Sequence, residues 1–238
     1  MKYALVTGGS RGIGRAICLK LAGMGIPVII NFKSNIEAAR ELREAILAEG
    51  GEASLMQFDV ADPKAVSSAL EAWENEHPDD YIAYLVNNAG IRKDNMMFMM
   101  PQEDWHSVID TTLNGFFYVT RALLPKMMMR RHGGRIVSVS SLSGLKGMAG
   151  QTNYSTAKAA LVGATKSLAQ ETATRNVTVN AVAPGSVCTS IPSAAHVRAR
   201  RKPGSEMPGV PASLINATFN PPRIRSLIIS AVWCSLNL

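Results

Sequence analysis

The sequence predicts a doubly wound α/β fold built on a parallel sheet. Six short apolar runs alternate along the chain with segments of helical period, at residues 3–6, 28–30, 53–58, 84–86, 136–139 and 178–182. The predicted helices lie between them, near residues 12–24, 35–49, 63–76, 102–130 and 153–174. Strands separated by helices of this length form right-handed crossovers, which cover both faces of a parallel sheet.

The first strand runs into a glycine-rich loop, Thr7-Gly-Gly-Ser-Arg-Gly-Ile-Gly14, and an amphipathic helix follows. Glycines at Gly8, Gly12 and Gly14 permit a tight turn there and let backbone amides approach a pyrophosphate at the helix N-terminus. Because the loop lies between the first strand and a helix, it predicts a dinucleotide-binding site.

The second strand ends at Phe32 and Lys33, where an NAD-binding chain usually places Asp or Glu on the ribose 2′-hydroxyl. Lys33 and Arg11 are two cations that could bind the 2′-phosphate of NADP, so the sequence favours NADPH over NADH. The alternative is that Lys33 is a solvated loop charge, which holds if Arg11 points away.

Beyond the fifth strand come Ser141, Tyr154 and Lys158, and the last two share one helix face because they are four residues apart. We expect the Lys158 ammonium to lower the pKa of Tyr154 from about 10. Tyr154 could then protonate a carbonyl oxygen while Ser141 holds that oxygen by a hydrogen bond, which is the acid half of a ketone reduction. Taken alone, a Tyr-x-x-x-Lys spacing also occurs by chance on solvated helix faces.

Four motifs occur in the order and spacing of the short-chain dehydrogenase/reductase family, which the chain resembles over residues 1–191. They are the glycine loop, Asn87-Asn-Ala-Gly90, the set of Ser141, Tyr154 and Lys158, and Pro184-Gly185. Residues 86–91, 131–136, 150–154 and 179–185 further resemble the β-ketoacyl-acyl carrier protein reductases of fatty-acid synthesis. The resemblance implies a Rossmann fold with NADP as cofactor and the remaining residues, 192–238, as a separate tail.

The resemblance also implies roles for individual residues. Tyr154 would protonate the ketone oxygen as hydride passes to the carbonyl carbon, with Ser141 and Lys158 beside it. Asn87 would lie in the loop beside the adenine ribose of the cofactor. Alternatively, it would be a structural clamp at the end of its strand. The residues implied to bind the cofactor are Gly8, Ser10, Arg11, Gly12, Ile13, Gly14, Lys33, Asp59, Val60, Asn87, Ala89, Gly90, Tyr154, Lys158, Pro184, Gly185, Val187 and Thr189.

The chain departs from the family at Thr112, which stands where the family carries a catalytic Asn in a proton relay. A threonine hydroxyl can bind a water, but it lacks the paired donor and acceptor groups of an amide. We therefore expect Thr112 to take part in an altered proton supply, with Tyr154 and Lys158 intact.

Two arginines match positions at which the acyl carrier reductases dock their acidic carrier protein. Arg131 and Arg175 each end a predicted helix, where the helix dipole alone also favours a cation. A group of methionines, Met96, Met97, Met99, Met100 and Met127 to Met129, could line an acyl-chain or subunit surface. Core packing is the expected role for them.

Composition narrows the class of protein. The net charge of +7 over 238 residues suits an acidic partner, but much of the excess lies in the tail, and we expect no nucleic-acid partner. The three cysteines lack metal-ligand spacing, so no metal is expected. No secretion signal or apolar run long enough to span a membrane is present, which predicts a cytoplasmic protein. The family implies a homotetramer.

Residues 192–238 lack the pattern of the rest of the chain. Six prolines fall within residues 192–222, with several basic residues and no convincing period. The family's seventh strand is not recognisable there. Codons that could encode residues 225–235 read, in another frame, as a sequence resembling that strand, so we hypothesise a frameshift between about Thr189 and Arg225.

The sequence therefore predicts an NADPH-dependent reductase of 3-oxoacyl thioesters on acyl carrier protein. Two alternatives stay open at this point. One is a reductase of acetoacetyl-CoA or another ketone, and the other is a truncated pseudoenzyme that binds the cofactor without turnover.

Overall fold

The computed structural model describes residues 1–185 and 213–215, and Val187 and Thr189 lie outside them, as does most of the predicted tail. Within the described residues the sheet has seven strands: β1 (Lys2–Val6), β2 (Val28–Phe32), β3 (Ala53–Gln57), β4 (Tyr81–Asn87), β5 (Gly134–Val139), β6 (Val177–Ala183) and β7 (Ser213–Ile215). Their order is β3-β2-β1-β4-β5-β6-β7. The first six strands are parallel, which confirms the predicted doubly wound fold.

The seventh strand lies in the tail, where the sequence pattern predicts none. β7 pairs antiparallel with β6, and Leu214 lies opposite Val182. Three residues are too few to show the alternation by which a strand is recognised from sequence.

Seven α-helices connect the described strands: α1 (Gly12–Ala22), α2 (Ile36–Ala48), α3 (Pro63–Glu76), α4 (Gln102–Ile109), α5 (Gly115–Met129), α6 (Leu142–Lys146) and α7 (Thr152–Thr172). The helix predicted near residues 102–130 is present as α4 and α5, which a π-helical turn at Asp110–Asn114 joins without a break. A π turn adds one residue to a helical turn and is often found at functional sites.

The sheet separates two apolar layers, because side chains alternate between the two faces along each strand, apart from one irregularity at Ala83 in β4. Leu5, Leu85 and Ile136 face α3, α5 and α7, whereas Val6, Val86 and Val182 face α1 and α2. Each such side chain contributes roughly 1.5–3 kcal/mol when it is fully buried. This packing holds the strands rigidly, so the loops at their carboxyl ends have a fixed base.

Local capping sets where several helices begin. The Asp62 carboxylate accepts hydrogen bonds from the amides of Lys64 and Ala65, with Pro63 as the first residue of α3. The Ser141 hydroxyl accepts from the amide of Ser143 at 3.2 Å and so caps α6.

Two negative findings apply to the part of the chain that the structure describes. None of its helices is long and apolar enough to cross a lipid bilayer. It also contains no cluster of three or more His, Cys, Asp or Glu residues able to hold a metal ion.

Candidate active site

A cleft of about 730 Å³ opens at the carboxyl edge of the sheet, where the strand order reverses beside β1. It brings together most of the residues predicted from sequence. Those that line it are Gly8, Ser10, Arg11, Ile13, Lys33, Asp59, Val60, Ala89, Gly90, Ser141, Tyr154, Lys158, Pro184 and Gly185.

The glycine loop has the shape that a pyrophosphate requires. Gly8 and Gly12 have φ of 59° and 56°, a region that other residues rarely adopt. A Cβ on Gly14 would overlap the carbonyl oxygen of Gly8 and lie 2.7 Å from Asn88 Nδ2. The N-terminus of α1 therefore approaches the loop closely, and the loop fits a dinucleotide phosphate group at that helix end.

Hydrogen bonds from the end of β4 fasten this loop. The Thr7 hydroxyl donates to the carbonyl of Val86 at 3.3 Å and accepts from the amides of Asn88 and Ala89, both at 3.0 Å. The Asn88 amide donates to the carbonyls of Thr7 and Gly8 at 2.9 and 3.0 Å. The polar groups at the junction of β1 and β4 are thus paired with one another.

Asn31 is a buried loop support that sequence reasoning missed. Its side-chain oxygen accepts from the amide of Gly8 at 3.1 Å, and its NH₂ donates to the carbonyls of Met56 and Phe58 at 3.2 and 3.1 Å. A polar residue inside the otherwise apolar second strand was the available signal, since buried polar groups need partners.

Asn87 is not among the residues that line the cleft. Its side chain is buried and donates to the Thr120 hydroxyl at 3.1 Å. Of the two alternatives for Asn87, this placement favours the structural clamp.

The two cations predicted to select NADP both line the cleft. Lys33 Nζ lies 2.6 Å from Asp59 Oδ2, so Lys33 is ion-paired as well as exposed to solvent. Arg11 is exposed at the residue before α1. Both side chains are therefore available to a phosphate, although Lys33 would share its charge with Asp59.

Lys158 is the buried member of the three residues predicted to be catalytic. Its Nζ donates to the carbonyl of Val139 at 2.6 Å and lies 5.7 Å from the ring centroid of Tyr154. The Ser140 hydroxyl donates to the Lys158 carbonyl at 2.7 Å, which ties α7 to the end of β5. The Ser141 hydroxyl lies at the start of α6 in the same cleft.

Burial dominates the electrostatics of these groups. It lowers the pKa of Lys158 to about 8. It raises the pKa of Tyr154, and the Ser141 hydroxyl and Arg92 guanidinium oppose that rise by less. The prediction of a lowered Tyr154 pKa is wrong for this arrangement, because desolvation outweighs the opposing groups. Tyr154 thus holds its proton at neutral pH, as an acid must.

Thr112 lies in the π turn, directly behind the cleft. Its Oγ1 is buried and has no hydrogen-bond partner among the described residues. A Cβ on Gly90 would lie 3.4 Å from Thr112 Oγ1 and 3.3 Å from Lys158 Nζ. The two polar atoms therefore approach the same point behind Gly90.

Two further cleft residues escaped the sequence reading. Arg92 follows β4, and Gln151 precedes Tyr154 by three residues, so it lies on the same side of the helix start. The Gln151 amide donates to Asp94 Oδ2 at 3.1 Å. The i, i+3 spacing could have identified Gln151, and the strand-end position could have identified Arg92.

Arg131 and Arg175 lie near each other but far from the cleft. They precede β5 and β6, whose first residues Gly134 and Val177 are paired in the sheet. The Asn176 side chain donates to the carbonyl of Arg131 at 3.4 Å. Both arginines are exposed, at the sheet edge opposite the cleft.

The methionines divide into two groups. Met127 is fully buried and packs in the core, as expected. Met97 and Met99 are 61% and 62% exposed, so core packing is wrong for them. They lie in a short 3₁₀ turn before α4, which a count of apolar residues cannot distinguish from a buried segment.

The fold and the cleft together place the chain among the oxidoreductases that use a dinucleotide cofactor. More narrowly, the sequence profile of the short chain dehydrogenases matches residues 2–198, and the chain belongs to this family. Membership implies a nicotinamide cofactor.

The chain is also similar to several named reductases. It is 44% identical over 190 residues to the 3-oxoacyl-[acyl-carrier-protein] reductase of Synechocystis sp., covering 80% of this chain and 76% of that protein. The 3-oxoacyl-[acyl-carrier-protein] reductase FabG of Aggregatibacter actinomycetemcomitans is 43% identical over 187 residues, which cover 79% of this chain and 76% of that protein. The FabG reductase of Escherichia coli is 43% identical over 190 residues, which cover 80% of this chain and 75% of that protein.

Proposed function

We propose that the protein reduces 3-oxoacyl-acyl carrier protein to 3-hydroxyacyl-acyl carrier protein with NADPH, a step of fatty-acid biosynthesis. The observation that carries this proposal is the meeting of Ser141, Tyr154 and Lys158 with the glycine loop in one cleft. The names of relatives at 42–44% identity support the substrate.

The cofactor would be held by groups that the cleft already presents. The amides of the glycine loop and the N-terminus of α1 suit its pyrophosphate. Arg11 and Lys33 suit a 2′-phosphate, which supports NADPH over NADH. When bound, NADPH supplies the hydride that reduces the carbonyl carbon.

The chain's own residues handle the proton. Tyr154 donates its phenolic proton to the ketone oxygen as negative charge develops there. The Ser141 oxygen accepts a bond from the Ser143 amide, and the Ser141 hydrogen, which can bond Tyr154, can instead donate to the same ketone oxygen. The buried Lys158 charge stabilises the phenolate that Tyr154 becomes.

Thr112 would help to restore that proton. Its unpartnered hydroxyl oxygen and Lys158 Nζ approach the same point behind Gly90. A hydroxyl can both accept and donate, so it can pass a proton toward the lysine. The altered relay predicted from the sequence is consistent with this placement.

The carrier protein would dock on the exposed pair Arg131 and Arg175, whose charge suits an acidic partner. Two exposed apolar residues on α5, Phe117 and Met129, support self-association, for which the family suggests a homotetramer. Location in the cytoplasm stays a prediction from the sequence.

A direct assay tests the proposal. Purified protein is mixed with NADPH or NADH and with acetoacetyl groups carried on carrier protein or on CoA, and nicotinamide absorbance is followed. We expect oxidation of NADPH in preference to NADH, and the carrier-protein thioester as the better substrate. Preference for the CoA thioester would favour the alternative reductase.

The matched control is Tyr154→Phe, which removes one hydroxyl group. We expect it to retain NADPH binding and to lose about 10³-fold in kcat. If this variant kept full activity, Tyr154 would not be the acid. NADPH binding without turnover in the wild type would identify a pseudoenzyme.

The tail, residues 192–238, carries a separate proposal of a frameshift between about Thr189 and Arg225. The tail is rich in proline and lacks the periodic apolar pattern of a helix or strand, which supports this proposal. The nucleotide sequence of the gene tests it, because the family resemblance implies Asn-Gly-Gly after the seventh strand. Another frame encoding Asn-Gly-Gly near the end would support a frameshift, and the lack of one in every frame would oppose it.

A further inference from the structure

The loop after β4 is fastened to the start of α7, the helix that carries Tyr154. The backbone amide of Asn95 donates to the carbonyl of Gly150 at 2.8 Å. The Asn153 side chain donates to the carbonyl of Lys93 at 2.9 Å. Two bonds from different groups therefore hold this loop at a fixed position against the catalytic helix.

Arg92 projects from that loop at the wall of the cleft. It lines the same cleft as Tyr154, and its side chain is 62% exposed. Its Nε lies 3.4 Å from Asp94 Oδ2, and Asp94 in turn accepts from the Gln151 amide at 3.1 Å. This chain of contacts engages the Nε edge of the guanidinium, and the two terminal NH₂ groups have further donors to offer.

The Arg92 charge acts close to the reacting hydroxyl. It lowers the pKa of Tyr154, while Asp94 raises it, so both charges lie within electrostatic reach of the phenol. A guanidinium has only donors, and it can therefore bind an oxygen acceptor on whatever occupies this side of the cleft. A 3-oxoacyl thioester carries such an oxygen on carbon 1, two carbons from the ketone, whereas a simple ketone does not.

We propose that Arg92 binds the thioester carbonyl oxygen of the substrate and thereby selects 3-oxoacyl thioesters over ketones that lack this second carbonyl. The proposal rests on the proposed function. It adds a substrate-binding residue on the loop that follows β4.

The test pairs a change in the protein with a change in the substrate. Arg92→Met is compared with the wild type on acetoacetyl-CoA and on 3-oxobutyl-CoA, the thioether in which CH₂ replaces the thioester carbonyl. A hydrogen bond from a charged donor at an exposed site predicts about a tenfold loss of kcat/KM on acetoacetyl-CoA. On 3-oxobutyl-CoA, which lacks the bonded oxygen, kcat/KM should change less than about twofold. Arg92→Lys should restore part of the loss, because it retains a charged donor.

Lys93→Met is the control variant. Lys93 is adjacent in sequence and equally cationic, but it pairs with Asp104 at 3.5 Å and is not among the cleft residues. It should leave kcat/KM on both substrates unchanged. Equal losses of Arg92→Met on both substrates would overturn the role of Arg92 and leave the proposed function standing. If the wild type reduced neither CoA substrate and also failed to reduce acetoacetyl-carrier protein, both proposals would be overturned.

Discussion

The two halves of the cleft are built on opposite principles. In the half formed by the glycine loop, Thr7, Asn31 and Asn88 are neutral side chains whose polar groups pair with backbone atoms. In the half around the proposed catalytic residues, called here the catalytic half, Lys158 is a buried cation, and Thr112 Oγ1 and Gln151 Oε1 lack partners among the described residues. In the first half the polar groups find their hydrogen-bond partners within the protein. In the second half they are left for the substrate or for a transferred proton.

The difference shows which part of the cleft lowers the stability of the folded protein in order to hold reactive groups. Paired neutral groups contribute to folding, whereas a buried charge and unpartnered polar atoms cost free energy. Substitutions in the glycine-loop half should therefore lower stability and activity together. Substitutions in the catalytic half should raise stability while lowering activity.

Lys158→Met should separate the halves most clearly. We expect kcat/KM to fall about 10³-fold, because the charge that stabilises the phenolate is lost. Burial lowers the folded-state pKa of Lys158 to about 8, below its ordinary value of 10.5, so protonation costs stability at pH 7. Removing the amine leaves the Val139 carbonyl unpaired, and the net gain in the free energy of unfolding should be about 1 kcal/mol.

The pH dependence of that comparison has a definite sign. Between pH 8 and 10 the unfolded lysine binds more protons than the folded one, so the wild type should gain stability relative to Lys158→Met as pH rises. Urea unfolding of both proteins from pH 7 to 9.5 measures this. A constant difference across that range would contradict the cost assigned to the buried charge.

Gly14→Ala should disrupt the structure of the glycine loop and so lower both stability and cofactor binding. The added methyl overlaps the carbonyl of Gly8, which cannot move without disturbing the loop. We expect the free energy of unfolding to fall by about 3 kcal/mol, and cofactor binding to weaken with it. Chemical unfolding and NADPH titration followed by fluorescence measure the two effects.

Gly163→Ala is the matched control for this change. Gly163 is also a helical glycine, but a Cβ there meets nothing within 4 Å. Alanine should stabilise α7 by about 0.5–1 kcal/mol through its higher helix propensity. If both substitutions had the same effect, the close approach at Gly14 would not be what requires glycine.

Thr112→Val should lower activity less than Lys158→Met does, and it should change stability in the same direction. Replacing the unpartnered hydroxyl by a methyl group should stabilise the protein by about 1 kcal/mol. If the hydroxyl relays protons, kcat should fall about tenfold.

Thr120→Val supplies the comparison, since the hydroxyl of Thr120 accepts from Asn87 at 3.1 Å. That variant should lose about 1 kcal/mol, because it leaves the Asn87 amide unpaired. Thermal unfolding and steady-state kinetics distinguish the two threonines. Destabilisation by Thr112→Val would mean that its hydroxyl has a structural partner.

The sequence could predict the parts of this site that depend on regular period or on glycine. The six parallel strands and the glycine loop follow from apolar alternation and from the need for positive φ at Gly8 and Gly12. The π turn around Thr112 could not be predicted, because one extra residue in a turn leaves the apolar pattern almost unchanged. The pKa of Tyr154 could not be predicted for another reason: it depends on how deeply the folded chain buries the phenol.

Neighbouring residues of one type also took different roles. Asn87 and Asn88 are adjacent, yet one bonds Thr120 on α5 and the other bonds the glycine loop. Alternate residues of a strand point to opposite faces, so the register of β4 decides which asparagine reaches the loop. The pairing of Lys33 with Asp59 likewise depends on how β2 and β3 lie side by side.

The hydrogen bonds of the Thr7 hydroxyl affect how the protein folds during its synthesis. Its three partners lie 79 to 82 positions further along the chain. At a synthesis rate of roughly 5–20 residues per second, the first strand leaves the ribosome several seconds before those partners exist. Such distant closures slow folding, because the chain entropy is lost before the contacts form. During that interval the nascent chain carries the complete glycine motif but has not yet formed the phosphate-binding loop.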